Sequence, residues 1–340
     1  MPQKNSAMFE TIGVLGGGAW GTALAQTLSL SGHRVTLWAR NPDVVDDINQ
    51  NHVNRTYLPG IPLSAGIRAT ASLKEVAESD AILIVTPAQN ASGVLIELAE
   101  LIDCARPSPA LVMCAKGIEQ TTGKRMGEVA ASIMPKAHYA VLSGPSFASD
   151  VARGLPCALT LACRDESIGR ALAESLSSRH MRLYWSSDVI GTEFGGAVKN
   201  VLAIAAGIVA GRGLGASAHA ALVARGFAEL HRFSEVMGAR PETLMGLSGL
   251  GDLILTAGSP QSRNMSLGRA LGEGQTLAQV LASRSAVTEG VYTAAAVVRL
   301  AREKNIEMPI AEAVHAIVEG RLGVDEVISA LLQRPLKAED

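Results

Sequence analysis

The sequence predicts an α/β protein in which a doubly wound, mostly parallel sheet comes first and an all-α part follows. Short runs that are apolar throughout alternate with helix-length segments in the first half, which is typical of parallel strands covered on both faces. Beyond Ser187 no segment has a convincing strand pattern, and Ala, Leu and Gly dominate. The chain has 340 residues, 48% of them hydrophobic, so it is long enough for two domains.

Seven segments of the first half have the length and composition of strands. Because helix-length segments separate most of them, they indicate βαβ units and helices on both faces of the sheet. In chain order, the predicted strands are residues 11–15, 34–38, 81–85, 111–115, 139–142, 157–163 and 181–185.

The second part is predicted to begin with a long helix. Ser186, Ser187 and Asp188 supply an N-cap, because a short polar side chain can accept a hydrogen bond from the first backbone N–H groups of a helix. We therefore divide the chain into one domain of residues 1–187 and a helical domain of residues 188–340. Helical segments are also expected over residues 198–210, 218–237 and 288–304.

Composition argues against nucleic-acid binding as the main function. Thirty basic residues and 32 acidic ones give a net charge of -2, whereas neutralising phosphates needs a basic surface. Aromatic residues make up only 4% of the chain, so stacking platforms for single-stranded bases are not expected either.

The sequence gives no support for a metal centre or a serine nucleophile. The seven histidines show no H-E-x-x-H or other paired ligand spacing, and no G-x-S-x-G motif occurs. The cysteines form no C-x-x-C pair, which favours reduced thiols in a cytoplasmic protein. They are Cys104, Cys114, Cys157 and Cys163.

We expect neither a secretory signal nor a membrane span. The first ten residues contain no apolar stretch. The longest apolar run, residues 201–210, is shorter than the roughly 18 residues that a span requires. Lys199, Asn200 and Arg212 bound that run on its two sides.

A glycine-rich loop follows the first predicted strand. Gly16, Gly18 and Gly21 fit the pattern G-x-G-x-x-G between strand 11–15 and a helix-like segment that ends near Gly32. Glycines let the backbone approach a pyrophosphate, whose charge then meets the N-terminus of the helix. The loop therefore predicts a Rossmann-type dinucleotide-binding domain. The alternative is a glycine-rich turn that only packs the helix on the strand.

The end of the second predicted strand bears on the choice of cofactor. A ribose with a free 2′-OH is usually bound by Asp or Glu about 20 residues past the first glycine. This chain has Ala39, Arg40 and Asn41 there instead. A guanidinium group suits a 2′-phosphate, so we expect a preference for NADP over NAD. The alternative is a solvated surface arginine.

Two lysines interrupt apolar or small-residue segments. Lys116 directly follows strand 111–115, at the edge where open α/β sheets bind ligands. Lys199 follows Gly195 and Gly196 by one helical turn, which indicates a close approach, since glycine inside a helix costs about 1 kcal/mol relative to alanine. In hydride transfer the protein must also donate or accept one proton. A lysine can do so in both directions if burial or a neighbouring cation lowers its pKa. Alternatively, the stem of Lys199 only extends from a packed helix to water.

Three more clusters are candidates for binding. Residues 143–148 form a tight turn at the end of a predicted strand, and Asp252 ends a glycine-rich turn. Ser262, Arg263 and Asn264 are expected in the first turn of a helix, where the helix dipole and backbone N–H groups favour an anion such as phosphate.

Eight segments, taken in their order and spacing, match a known family over nearly the entire chain. They are GGGAWGTALA at 16–25, LWAR at 37–40, AKG at 115–117, LSGPSFA at 142–148, EFGGAVKNVLAIAAGI at 193–208, GLGDLILT at 249–256, SRN at 262–264 and TEG at 288–290. With these segments the chain resembles the bacterial NAD(P)-dependent glycerol-3-phosphate dehydrogenases.

The resemblance implies an activity and a set of site residues. Dihydroxyacetone phosphate and sn-glycerol 3-phosphate would be interconverted, with reduction supplying glycerol 3-phosphate for phospholipid synthesis. Lys199 matches the proton acceptor of the family, and Lys116 matches a residue that touches both substrate and cofactor. Substrate contacts are implied for Gly144, Ser146, Asp252, Ser262, Arg263 and Asn264. Cofactor contacts are implied for Ala19, Trp20, His33, Arg40, Ala148, Arg263, Val287 and Glu289, beside the loop glycines Gly16, Gly18 and Gly21.

Some expectations remain open at this point. Ala19 stands where many members of the family have serine, so a hydroxyl contact to the pyrophosphate would be absent. The position of Arg40 varies in the family, so use of NAD as well as NADP is possible. The alternatives are a related NADP-dependent hydroxyacid or keto acid reductase and a non-catalytic NADP-sensing protein. By analogy with other two-domain reductases we also expect a homodimer.

Overall fold

The first part of the molecule is built on one eight-stranded sheet. The computed structural model describes residues 9–102, 108–282 and 287–335. The strands are β1 (Thr11–Leu15), β2 (Arg34–Trp38), β3 (Ile67–Thr70), β4 (Ala81–Ile84), β5 (Ala110–Met113), β6 (His138–Ser143), β7 (Cys157–Cys163) and β8 (Met181–Ser186). They lie in the order β3-β2-β1-β4-β5-β6-β7-β8, and all neighbours run parallel except β6 and β7. This confirms the predicted mostly parallel sheet.

Helices follow most strands and then make up the rest of the described chain. In the first part they are α1 (Ala19–Leu30), α2 (Pro42–Asn51), α3 (Leu73–Ala77), α4 (Ala88–Leu101), α5 (Met126–Ile133), α6 (Ala148–Ala152) and α7 (Glu166–Leu176). In the second part they are α8 (Val189–Gly211), α9 (Gly215–Val236), α10 (Pro241–Met245), the π-helix Leu247–Gly251, α11 (Asp252–Gly258), α12 (Arg263–Gly272), α13 (Leu277–Ala282), α14 (Glu289–Glu303), α15 (Pro309–Val318) and α16 (Val324–Leu332).

Both faces of the sheet are buried, as runs of apolar strand residues predict. Successive side chains of a strand point to opposite faces. In β4, Ala81 and Leu83 join one hydrophobic cluster, whereas Ile82 and Ile84 join the cluster on the other face. A third cluster fills the helical part, where Phe194 and Phe233 meet edge to face at a centroid distance of 5.2 Å.

The structure corrects the sequence prediction at several element ends and in one missing strand. All seven predicted strands are present, but β4 ends at Ile84, and β5 ends at Met113 rather than at residue 115. Strand β3 was not predicted because its four residues form no apolar run: Arg68 is exposed at this edge of the sheet. The predicted cap of α8 is confirmed, since Asp188 accepts a hydrogen bond from the Gly191 N–H at 2.8 Å. Cys104 lies outside the described residues.

Helix α8 is the central element of the helical part and is buried along almost its whole length. It lies so close to α12 that backbone meets backbone. A Cβ atom on Gly207 would lie 2.0 Å from the carbonyl oxygen of Met265, and one on Gly268 would lie 2.0 Å from that of Ile204. The two helices can therefore pack this closely only because both positions are glycine.

By length and composition alone, α8 could cross a membrane. The helix runs from Val189 to Gly211, so it includes Lys199 and Asn200 and is longer than the apolar run of residues 201–210. Of its most apolar 18-residue window, 89% is buried inside the protein. A core helix passes the same test, so this finding is weak evidence for a membrane span.

The contact between α8 and α12 makes the substitution Gly207→Ala a test of the packing. The added methyl group must push the two backbones apart, and overpacking of this kind costs about 1–3 kcal/mol. We expect a lower melting temperature by calorimetry.

The matched control is Gly93→Ala in α4. An added Cβ there meets no described atom within 4 Å, so the substitution should stabilise the protein by about 0.5–1 kcal/mol. Equal shifts in the two variants would contradict the backbone contact.

Candidate active site

The glycine-rich loop between β1 and α1 has the shape that a pyrophosphate requires. Gly16 has a φ of +129°, which other residues rarely adopt, and a Cβ on Gly21 would lie 1.9 Å from the Gly16 carbonyl oxygen. By contrast, no described atom lies within 4 Å of a Cβ built on Gly18, the N-cap of α1. The backbone is thus tightly packed at Gly16 and Gly21, whereas space is open at Gly18, next to the first N–H groups of α1. This fits the binding of a dinucleotide phosphate.

The loop lies at the point where the strand order reverses, between β1 and β4. Sites of open α/β sheets form at this point. A Cβ on Gly16 would lie 3.1 Å from the backbone nitrogen of Thr86, two residues after the end of β4. The buried hydroxyl of Thr86 and the indole N–H of Trp20 have no hydrogen-bond partner among the described residues. Thr86 was missed in the sequence, although its place after a strand was a usable signal.

Arg40 and His33 lie at opposite ends of β2. Arg40 is exposed at the carboxyl end, next to Ala39, whose Cβ lies 2.6 Å from a Cβ built on Gly17 of the loop. His33 precedes β2 at its amino end. Its ring nitrogens lie 3.1 Å and 2.8 Å from the carbonyl oxygens of Phe9 and Ser175. The structure therefore does not bring His33 to the loop. His33 precedes β2 and therefore lies at the amino end of this strand, whereas ligands of open α/β sheets bind at the carboxyl ends of the strands.

Asp252 joins the two lysines that the sequence singled out. Its Oδ1 accepts a hydrogen bond from Lys199 Nζ at 2.5 Å, and its Oδ2 accepts one from Lys116 Nζ at 2.7 Å. Lys199 also donates to the Thr256 hydroxyl at 2.7 Å, and Lys116 donates to the Gly144 carbonyl oxygen at 2.9 Å. Lys199 does not extend to water, because its side chain is only 7% exposed. Two cations thus share one buried carboxylate.

This arrangement shifts the pKa values of the cluster. Burial, together with the charge of Lys116, lowers the pKa of Lys199 to about 8, although Asp252 opposes the change. Burial acts to raise the pKa of Asp252, but the two ammonium groups outweigh it and hold that pKa below its usual value of 3.8. Lys199 can therefore change its protonation state near neutral pH, as a group that moves a proton must.

A chain of amide hydrogen bonds links both parts of the molecule at this cluster. Asn200 donates to the carbonyl oxygen of Lys116 at 2.9 Å and accepts from Asn264 at 2.9 Å. Asn264 in turn accepts from the Gly290 N–H at 3.0 Å. Asn200 was not singled out in the sequence, although a buried amide in an otherwise apolar helix is a signal of this kind.

Gly144, Ser146 and Ala148 follow β6 and extend the site. Gly144 has a φ of +147°, and its carbonyl oxygen accepts hydrogen bonds from Lys116 and, at 3.2 Å, from the Ser146 hydroxyl. Ala148 begins α6, which packs against α1 of the glycine-rich loop. The turn after β6 therefore contacts the lysine cluster at one end and the loop helix at the other.

The start of α12 forms the opposite wall. Ser262 caps this helix by accepting a hydrogen bond from the Met265 N–H at 3.2 Å, and Arg263 donates to the Val287 carbonyl oxygen at 3.0 Å. Glu289 accepts from the Ala88 N–H at 2.9 Å, at the start of α4. Burial raises the pKa of Glu289. These contacts bring residues 262–264 and 287–289 next to the sheet part.

All of the predicted site residues except His33 therefore lie around the carboxyl ends of the strands, the middle of α8 and the starts of α11, α12 and α14. A Cβ on Gly117, next to Lys116, would lie 2.7 Å from a Glu289 carboxylate oxygen. In the described part of the chain, no group of three or more His, Cys, Asp or Glu could hold a metal ion.

A dinucleotide loop on a Rossmann-type sheet, facing a buried lysine of a helical second domain, defines the class of two-domain NAD(P)-dependent dehydrogenases. The family model described as NAD-dependent glycerol-3-phosphate dehydrogenase N-terminus matches residues 11–169. The model for the C-terminus of the same enzymes matches residues 188–329. The chain belongs to this NAD-dependent glycerol-3-phosphate dehydrogenase family.

Individual relatives support the same assignment. The chain is similar to the glycerol-3-phosphate dehydrogenase (NAD(P)+) of Parvibaculum lavamentivorans, with 58% identity over 97% of this chain and 98% of the relative. The enzyme of that name from Caulobacter vibrioides is 55% identical over 97% and 99% of the two chains. A crystal structure of glycerol-3-phosphate dehydrogenase from Coxiella burnetii superposes with a TM-score of 0.91 and 39% identity, covering 96% of this chain and 100% of that one.

A ketopantoate reductase structure from Ralstonia eutropha shares only the fold. Its TM-score is 0.60 at 18% identity, over 94% of this chain and 99% of the other. The alternative of a hydroxyacid or keto acid reductase is therefore not favoured.

Proposed function

We propose that this chain interconverts dihydroxyacetone phosphate and sn-glycerol 3-phosphate by hydride transfer, with Lys199 as the group that donates and accepts the proton. The observation that carries the proposal is the buried cluster of Lys199, Asp252 and Lys116 at the ligand edge of a dinucleotide-binding sheet. Reduction would supply glycerol 3-phosphate for phospholipid synthesis.

The donor geometry of Lys199 suits this role. An ammonium group has three N–H bonds, and among the described residues two of them go to Asp252 and Thr256. The third can reach the substrate oxygen. In reduction the ammonium form donates a proton to that oxygen, and in oxidation the neutral amine accepts it.

The substrate is proposed to be held by the surrounding cations and the start of α12. Lys116 has a third N–H bond beyond those to Asp252 and Gly144. Arg263 and the first turn of α12 favour a phosphate group, because positive charge and backbone N–H groups meet there. Gly144, Ser146, Ser262 and Asn264 complete the proposed substrate contacts.

The nicotinamide cofactor, when bound, supplies the hydride chemistry. The proposed contacts to it come from the loop glycines Gly16, Gly18 and Gly21 and from Ala19, Trp20, Arg40, Lys116, Ala148, Arg263, Val287 and Glu289. We further propose a preference for NADP over NAD, supported by an exposed Arg40 that makes no hydrogen bond or ion pair with the described residues and by the lack of an acid at this strand end.

Three further proposals concern the molecule as a whole. The boundary between the domains is proposed at residue 187, because the last strand ends at Ser186 and α8 begins at Val189. A cytoplasmic location is supported by the free thiols of Cys114, Cys157 and Cys163. A homodimer is proposed by analogy with other two-domain reductases, and light scattering would measure it.

The substitution Lys199→Met tests the catalytic assignment. It keeps an apolar stem of similar length but removes the proton donor, so turnover of dihydroxyacetone phosphate with NADPH should be abolished in an absorbance assay. The affinity for NADPH, measured by fluorescence, should stay nearly unchanged. Retained turnover would refute the role of Lys199.

The pH dependence of the two directions should differ in sign. Oxidation of glycerol 3-phosphate needs the neutral amine, so its kcat/KM should rise through about pH 8 and then level off. Reduction needs the ammonium group, so its kcat/KM should fall as the pH rises through the same value. An oxidation profile with its midpoint near the ordinary lysine pKa of about 10.4 would contradict a buried, shifted lysine.

The substitution Arg40→Ser tests the cofactor preference. Loss of a charge-assisted contact to the 2′-phosphate should weaken NADPH binding by about 10-fold or more, whereas NADH binding should change little. The control is Arg34→Ser, which removes an exposed arginine from the other end of β2. If Arg40→Ser weakened NADPH and NADH binding equally, the proposed preference for NADP would be contradicted.

A further inference from the structure

A second buried carboxylate, that of Glu193 on α8, takes no part in the site described above. Its side chain is 5% exposed, and it accepts hydrogen bonds from Arg125 Nη1 at 2.5 Å, from the Gly127 N–H at 2.6 Å and from the Tyr139 hydroxyl at 2.9 Å. All three donors belong to α5, its N-cap and β6, hence to the sheet domain. One carboxylate of the helical domain is thus bound by three donors of the other domain.

The arginine of this cluster is fixed on several sides. Arg125 also pairs with Glu128 at 3.1 Å, and its guanidinium lies 5.8 Å from the ring centre of Phe194, the residue after Glu193. A Cβ on Gly127 would lie 2.8 Å from the Tyr139 ring and 3.2 Å from a Glu193 oxygen. The cluster therefore permits little movement of α8 relative to the sheet.

The same face of α8 leads from Glu193 to the active site. Gly196 and Asn200 follow Glu193 at offsets of three and seven, so the three residues share one side of the helix. A Cβ on Gly196 would lie 2.6 Å from the Ser143 hydroxyl, at the end of β6, and Asn200 donates to the Lys116 carbonyl oxygen. Helix α8 therefore lies along β6, with Glu193 near the start of the strand and Lys199 near its end.

We propose that Glu193 is a positioning residue, which holds α8 on the sheet domain through Arg125, Gly127 and Tyr139 and so sets where Lys199 stands relative to the cofactor. Glu193 lies six positions before Lys199 in the helix, about 9 Å along the axis. Glu193 therefore acts through the helix and not on the substrate. This inference rests on the proposed function.

The ion pair of Glu193 and Arg125 is expected to act on the position of the reacting groups rather than on stability. A buried ion pair contributes little net stability, because desolvation offsets the attraction of the charges. A misplacement of about 1 Å at a reacting group can reduce the rate by about 100-fold. The ion pair between the two domains therefore matters more for the position of Lys199 than for the free energy of unfolding.

The test is Glu193→Gln, which keeps the volume of the side chain but removes its charge. At a temperature well below melting, we expect kcat for dihydroxyacetone phosphate to fall by about 10-fold. We expect its KM to change by less than about threefold, and the affinity for NADPH to be retained. The midpoint of the kcat profile should differ from that of the unsubstituted enzyme, because the pKa of Lys199 depends on its burial and on its distances to Asp252 and Lys116.

The matched control is Glu229→Gln. Glu229 is also a buried carboxylate with backbone donors, the Ile310 N–H at 2.8 Å and the Ala311 N–H at 3.3 Å, but both lie within the helical domain. It should lower the melting temperature while leaving kcat and its pH profile as in the unsubstituted enzyme. If Glu193→Gln behaves in the same way as this control, the positioning role is overturned.

A double variant keeps the proposal testable if Glu193→Gln folds poorly. Glu193→Gln with Arg125→Met leaves no unpaired buried charge, so the melting temperature should recover in part while kcat stays low. Recovery of kcat together with stability would overturn the proposal. If the unsubstituted enzyme itself turned over no dihydroxyacetone phosphate, the proposed function would fail instead, and the two failures are distinguishable.

Discussion

The candidate active site depends on one carboxylate that two ammonium groups share. Lys116 comes from the sheet domain and Lys199 from the helical domain, and each lies within 2.7 Å of Asp252. Without Asp252, two like charges would stand close together in a poorly solvated place, at a considerable cost in free energy. With it, Lys199 has a pKa of about 8, and one residue of each domain binds the same buried carboxylate.

Helix α8 connects this charge cluster to the rest of the molecule. One of its faces touches α12 through glycines, so that Gly207 and Gly268 bring the start of α12 to the site. Another face contacts the sheet domain, where Glu193 accepts a hydrogen bond from Tyr139 of β6 and Asn200 donates one to the carbonyl oxygen of Lys116. Because the helix is packed on all sides, the position of Lys199 is determined by contacts with both domains rather than by its own side chain.

The parts of the site that the sequence predicted are those formed by local geometry. The loop of Gly16, Gly18 and Gly21 could be recognised because strand, turn and helix follow one another within a few residues. Asn200 and Thr86 could not be assigned a role, since their partners lie far away in the chain. His33 was placed at the cofactor by resemblance alone, although it comes before β2 and so lies at the opposite edge of the sheet.

By itself, the sequence determined the fold class, the two-part organisation, the glycine-rich loop and the two lysines of the candidate site. These features follow from residue periodicity and from glycines at fixed spacing, which act over short distances. Only the tertiary structure decided which charges meet: that Asp252 lies between Lys116 and Lys199, and that Glu193 binds three donors of the other domain. Such pairings depend on how α8 packs along β6, and burial strengthens the interactions between the charges, which a local sequence pattern does not reveal.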